Sequence, residues 1–241
     1  YHWQRYLFFR PWYEDAKVID AASGEGYGTN YAATFAASAK GIDLSPEAVE
    51  HAGTRYPTAQ FSVGDVCTAD YSDADLVVSF ETIEHFADHE AFLAEVKRVL
   101  RPGGLLIISS PNRPVYADEA HHHNPFHVRE LDREEFRAAL LTQFANVTLL
   151  EQRPITGSAI VGETGTALPT STFDSSDGLS FQHGQSLASA RYFVAVASSG
   201  PLPDLDNSLL FDSAPDPKAA ASGRLEAMLK QAKDEQASQA A

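Results

Sequence analysis

The chain has one cysteine, one methionine and no apolar run near the roughly 20 residues that a membrane helix needs. A lone Cys67 can neither close an intrachain disulfide nor build a thiolate metal cluster, so it reads as lining of the core or of a ligand pocket. The N-terminus lacks the charged and apolar zones of a secretory signal, which points to a cytoplasmic location. Basic residues are scarce: 18 Lys and Arg stand against 33 Asp and Glu, a formal net charge of −15. Nucleic-acid binding rests on Lys and Arg neutralising phosphates, so DNA and RNA are not expected as partners. What is present is a 44% hydrophobic share over 241 residues, enough for one domain of roughly 200 residues and a tail. The chain opens on Tyr1 instead of Met, as an excised piece of a longer protein would.

Short apolar segments alternate with amphipathic ones, the pattern of a parallel sheet covered by helices on both faces. Strands are expected at Lys17–Ala21, Ala39–Asp43, Ala59–Val63, Asp75–Phe80, Leu105–Ser109, Val147–Gln152 and Arg191–Ala197. Ser45-Pro46-Glu47 reads as an N-cap with proline at the first helical position. Phe92, Leu93, Val96, Val99 and Leu100 share one helical face, and Arg101-Pro102-Gly103-Gly104 should stop that helix before the next strand. Asp132-Arg133-Glu134-Glu135 has the form of a capping box. Residues 154–189, rich in Gly, Ser and Thr, read as a long loop or irregular hairpin. From Pro201 the composition shifts to a linker and then to a helix-favouring run, 223–239, which suits either a frayed tail or a coiled-coil start toward another copy or domain.

Val18 to Gly28 is an apolar strand running into a glycine-rich turn and a helix, a place where a ligand can approach the main chain without meeting a Cβ. A dinucleotide turn has Gly-x-Gly-x-x-Gly, but here the third glycine comes one residue early, at Gly28, and Thr29 stands in its place. A nicotinamide-dependent oxidoreductase or epimerase is therefore the second reading. Asp43 and Asp65 end the second and third strands, where a carboxylate can accept from ribose hydroxyls and from an adenine amino group.

The ordered series Asp20 to Gly28, Gly41-Ile42-Asp43-Leu44-Ser45, Gly64-Asp65-Val66, Ser79 to Phe86 and Arg98 to Gly104 resembles the motifs of class I S-adenosylmethionine (SAM)-dependent methyltransferases. The resemblance covers about residues 1–152. It implies an α/β, Rossmann-like fold with a seven-stranded, mostly parallel sheet, helices on both faces and an antiparallel last strand, within a domain of residues 1–200. Carried over, Asp20, Gly24 and Gly26 line the methionine part of SAM, Asp43 the ribose, and Asp65 with Val66 the adenine; Ala22 and Leu44 belong to the same cofactor-binding set. Glu81 falls beside the transferring methyl. In similar proteins an N-terminal helix covers the cofactor, so Arg5 is the candidate for the SAM carboxylate, against the plainer reading of a solvated surface charge. Ala22-Ser23-Gly24 departs from the family's usual Gly-Cys-Gly turn.

Methyl transfer from a sulfonium is an in-line displacement, and a neutral hydroxyl also needs a base, for which histidine is suited. His85 follows the fourth strand. Asp118 to Glu130 holds His121, His122, His123 and His127 among carboxylates, where this class builds its acceptor pocket. Consecutive residues of an extended chain point in opposite directions, so the three adjacent histidines do not converge on one metal and no metal ligand is assigned. The expected catalytic set is His85, His123 and His127, with His122 and Arg129 binding the acceptor. The Asn124–Glu130 stretch and the closing strand are similar to methyltransferases associated with glycosyltransferases and surface-polysaccharide synthesis, which implies O-methylation of a sugar, sugar phosphate or glycan; a small-molecule acceptor of another pathway is the alternative.

Overall fold

The computed structural model describes residues 2–68, 71–118, 124–155, 172–174, 182–185, 187, 189–208 and 210. The expected helix at 223–239 and His121, His122 and His123 lie outside the described residues.

The compact unit Tyr1–Asn207 is built on a seven-stranded sheet in the order β3-β2-β1-β4-β5-β9-β6. Its strands are β1 Lys17–Ala21, β2 Ser38–Asp43, β3 Gln60–Val63, β4 Ala74–Ser79, β5 Leu100–Pro111, β6 Asn146–Gln152 and β9 Tyr192–Ser198. β1 to β5 run parallel, and β9 pairs antiparallel with both β5 and β6. The reversal of strand order between β1 and β4 opens a crevice at their carboxyl ends, where open α/β sheets bind ligands. Within 154–189, β7 Thr172–Asp174 and β8 Gln182–Gly184 form a small antiparallel pair, in keeping with the hairpin reading.

Alternation within the strands fills two cores. Ile19, Val77, Leu106 and Ile108 face one side and pack with Phe92 and Val96 of α4 (His89–Val99) and with Phe136 and Leu140 of α5 (Arg133–Leu141). Val18, Leu76, Val78 and Ile107 face the other, with Tyr6 and Phe9 from the N-terminal segment and Ala32 of α2 (Tyr27–Ala33). The caps form as local chemistry dictates. Ser45 Oγ accepts from the Ala48 N–H at 3.1 Å to open α3 (Pro46–Arg55). Asp132 and Glu135 exchange side-chain acceptors for each other's backbone N–H, both at 2.9 Å, to open α5. A cap of this kind contributes about 1 kcal/mol.

One boundary departs from expectation. β5 begins at Leu100, so Arg101-Pro102-Gly103-Gly104 belongs to a strand instead of a bare helix stop. Leu100 pairs with Ala74 across a register shift, and Gly103 takes φ +77 to let the chain turn. Among the described residues no helix is long and apolar enough to cross a membrane.

Candidate active site

β1 ends in a turn whose geometry requires its sequence. Gly24 and Gly26 adopt φ +50 and +77, and Ala22 takes φ +62, a left-handed angle that costs an L-residue about 1 kcal/mol or more. That strain is the price of alanine where similar proteins carry glycine. A Cβ at Gly24 would meet nothing within 4 Å, so its backbone faces open space. Gly28 is confined instead: a Cβ there would lie 1.9 Å from the Tyr6 ring. The early glycine is thus a socket for the N-terminal helix α1 (His2–Phe8), whose Tyr6 packs edge-on against Tyr27 and Phe80.

Asp20 is fully buried beneath this turn. Its Oδ2 accepts from Thr29 Oγ1 at 2.7 Å and Tyr6 Oη at 3.4 Å, while Oδ1 has no partner. Burial raises its pKa to about 6, moderated by the Thr29 and Tyr6 hydrogen bonds. Thr29, the residue that broke the dinucleotide pattern, is therefore committed to the carboxylate. Asp43 accepts from the Gly24 N–H through Oδ2 at 2.8 Å and from the Ser45 N–H through Oδ1 at 2.9 Å. Each oxygen keeps a lone pair for a further donor such as a ribose hydroxyl. Asp65 accepts from the Cys67 N–H at 2.8 Å and borders a cleft of about 310 Å³ with Ile42, Ser62, Gly64 and Tyr71. Val66 packs partly buried on the core and Leu44 is largely exposed. Cys67 is half-buried, and burial, then Asp65, pushes its thiol up to about 11, which suits pocket lining and not a thiolate nucleophile. The open face of Gly24, beside oriented carboxylates and an orphaned Asp20 oxygen, fits a nucleoside-bearing cation such as SAM.

Arg5 is no surface charge; it is 2% exposed. Its Nη1 donates to Glu81 Oε1 and to Ser109 Oγ, both at 2.8 Å, and its Nε donates to Gln152 Oε1 at 2.8 Å. The guanidinium lies over the rings of Tyr192 (4.9 Å) and Phe80 (5.7 Å), and Nη2 is buried without a partner. Glu81 follows β4 at φ +55, a second strained non-glycine position, and its N–H donates to Ser109 Oγ at 2.9 Å. Ser109 and Gln152 carry no motif signal, so only the fold could find them.

Three residues beyond Glu81, the turn Ile83–His85 meets the returning loop 124–130. The Glu84 carbonyl accepts the N–H groups of both Val128 (2.8 Å) and Arg129 (3.1 Å), which pins the loop to the end of β4. His85 and His127 are thereby brought to 5.1 Å between ring centroids, edge to face. His85 Nδ1 lies 2.8 Å from the Phe126 carbonyl, which can only accept, so Nδ1 carries the proton and Nε2 the lone pair. His127 is fixed likewise: Asn124 Oδ1 accepts from the Phe126 N–H, which turns the Asn124 amide nitrogen toward His127 Nε2 at 2.9 Å, while Nδ1 faces Glu130 Oε1 at 2.5 Å. Glu84, which sequence reasoning passed over, is fully buried with neither carboxylate oxygen hydrogen-bonded. Burial, then the negative Glu81, pushes its pKa well above the usual range. Arg129 is exposed at the loop's outer side.

The topology, the glycine turn and the acidic strand ends are those of class I SAM-dependent methyltransferase domains. Residues 19–108 match the methyltransferase-domain family. A protein of Mycolicibacterium smegmatis named as a probable SAM-dependent methyltransferase is 39% identical over 128 residues, 52% of this chain and 50% of that protein. A ubiquinone biosynthesis O-methyltransferase of Rhizobium leguminosarum bv. trifolii is 31% identical over 110 residues, 43% of this chain and 44% of its own length. The chain thus spans about half the length of the curated relatives it matches. A SAM-dependent methyltransferase structure from Thermotoga maritima shares the fold at TM-score 0.56 and 17% identity, over 83% of this chain and 91% of that one. These matches support SAM as the cofactor, the one the motif series implied, and none of them is named for a nicotinamide-dependent activity.

Proposed function

We propose that the chain transfers a methyl group from SAM to a hydroxyl oxygen of a polar acceptor lying against the His85–His127 face. SAM supplies an electrophilic methyl on a sulfonium. Asp43 accepts the ribose hydroxyls, Asp65 with Val66 borders the adenine, and the main chain at Ala22, Gly24 and Gly26 borders the methionine part. Asp20 Oδ1 meets the positive end of the cofactor, and Arg5 offers its unpartnered Nη2 to the carboxylate. The carrying observation is the pair of imidazoles whose Nδ1 protons are committed to Phe126 and Glu130, which leaves the basic lone pair on Nε2, shared in His127 with the Asn124 amide. A base of that kind is needed by a hydroxyl acceptor and not by an amine already neutral.

The acceptor's finer identity has two supports. The Asn124–Glu130 stretch favours a sugar or glycan, with Arg129 gripping an anionic group; the relative named a ubiquinone biosynthesis O-methyltransferase favours a hydroxyl of a ubiquinone precursor. Labelled-methyl transfer to a panel of phenols, sugars and amines separates them, and transfer to amines alone would sink the hydroxyl reading. For the cofactor, calorimetry should show S-adenosylhomocysteine binding that weakens at least about tenfold in Asp43→Ala, the loss expected for hydrogen bonds to a charged acceptor. Equal affinity in the folded variant would refute the ribose role.

A further inference from the structure

Glu84 has no part in the proposed methyl transfer, yet its carboxylate is fully buried with no hydrogen bond to either oxygen. Such a group is expensive unless a ligand answers it. One ligand atom from each of Glu84, His85 and His127 lies within 4.8 Å of the other two, and Glu84 Oε1 is 4.0 Å from His127 Nε2. Both imidazoles carry the proton on Nδ1, held by the Phe126 carbonyl in His85 and the Glu130 carboxylate in His127, so the lone pair is on Nε2; in His127 that lone pair accepts from the Asn124 amide. Glu130 Oε2 is also buried and without a partner.

We infer that Glu84, His85 and His127 form a binding site for a divalent first-row transition cation. Two imidazoles and one carboxylate suit Mn²⁺, Fe²⁺, Co²⁺ or Zn²⁺ better than Mg²⁺ or Ca²⁺, which prefer all-oxygen sets. Bonds of about 2.1 Å in tetrahedral array put ligand atoms about 3.4 Å apart, so side-chain rotations of about an ångström close the set. The Asn124 amide then gives up the His127 lone pair to the cation. The convergence comes from the Glu84 carbonyl, which docks the loop on the strand end.

Three protein ligands leave positions open for the acceptor. This part of the inference rests on the hydroxyl-methylation reading. With both Nε2 lone pairs on the cation, the cation takes over the role of the imidazole base: a hydroxyl bound there loses its proton to water more readily, because the cation stabilises the oxyanion. The oxygen's lone pair then forms the C–O bond as the C–S bond breaks, and sulfur keeps that electron pair as a neutral thioether.

The test uses the full chain, freed of metal by chelator and titrated with MnCl₂ and ZnCl₂ by calorimetry, with Mn²⁺ followed by electron paramagnetic resonance. One cation per chain is expected, with affinity at least tenfold weaker in Glu84→Gln and in His127→Ala. Glu84→Gln keeps the shape of the side chain, and its circular dichroism and S-adenosylhomocysteine affinity should match the parent. The triple substitution of His121, His122 and His123 by alanine should retain the cation. No stoichiometric binding, undiminished binding in Glu84→Gln, or loss confined to the triple variant would overturn the site. Cation binding without S-adenosylhomocysteine binding would uphold the site and overturn the methyltransferase reading; cofactor binding without a cation would do the reverse.

Discussion

Two carboxylates are buried at the ends of adjacent strands, and the protein treats them differently. Asp20, at the end of β1, accepts from Thr29 and Tyr6 on one oxygen, and both donors come from neighbouring helices. Glu84, beyond β4, is as deeply buried and receives nothing on its side chain. The first site is largely completed by its own protein: turn, helix and lid agree on one arrangement. The second is assembled by a loop that returns from beyond β5 and brings histidines without satisfying the acid between them. On the proposed reading the cofactor end is pre-organised by the fold, whereas the acceptor end keeps a carboxylate unanswered by the protein.

The sharpest way to break this contrast is through Arg5, which pairs with Glu81 on the acceptor side. Arg5→Met leaves the Glu81 charge without its buried counter-ion and should cost about 3–5 kcal/mol in urea unfolding. A cost below 1 kcal/mol would mean the pair is dispensable. Next in size is the pH response of Asp20. Its folded pKa, about 6, exceeds the ordinary 3.8, so the associated stabilisation is fully present below about pH 4 and is lost as pH rises through about 6. The difference corresponds to about 3 kcal/mol. Asp20→Asn should remove that slope from the stability profile between pH 4 and pH 7, and parallel profiles would contradict the assignment. The smallest effect is at Gly28. Gly28→Ala drives a Cβ into the Tyr6 ring and should cost about 1–3 kcal/mol by overpacking, while displacing the Tyr6 contact to Asp20. Unchanged stability would show that α1 seats elsewhere.

The cofactor end was legible because its signals are local. β1 is a short run of consecutive buried residues, Ser45 and Asp132 cap as their spacing implies, and Asp43 falls at the end of its strand. The start of β5 was not legible, since Leu100 joins the sheet through a partner at Ala74 that no local pattern announces. Arg5 was singled out, but its burial depends on Tyr192, Ser109 and Gln152, which lie more than a hundred residues along the chain. Glu84 went unnoticed for a related reason: beside His85 it looks like an ordinary first-turn acid, and only the 124–130 loop seals it from water. Glu81-x-x-Glu84-His85 is the one local hint, two acids at helical spacing followed by a donor.

The carbonyl of Glu84, taken by two successive N–H groups, is a rivet between strand and loop. The exposed side chains of Phe126, Val128 and Arg129 can change without loosening it, because the joint is made by main chain alone. Acceptor preference can therefore drift by substitution in the loop while both imidazoles stay in register with β4, and a proline at 128 or 129, which removes one of those donors, would be the least tolerated change in the segment.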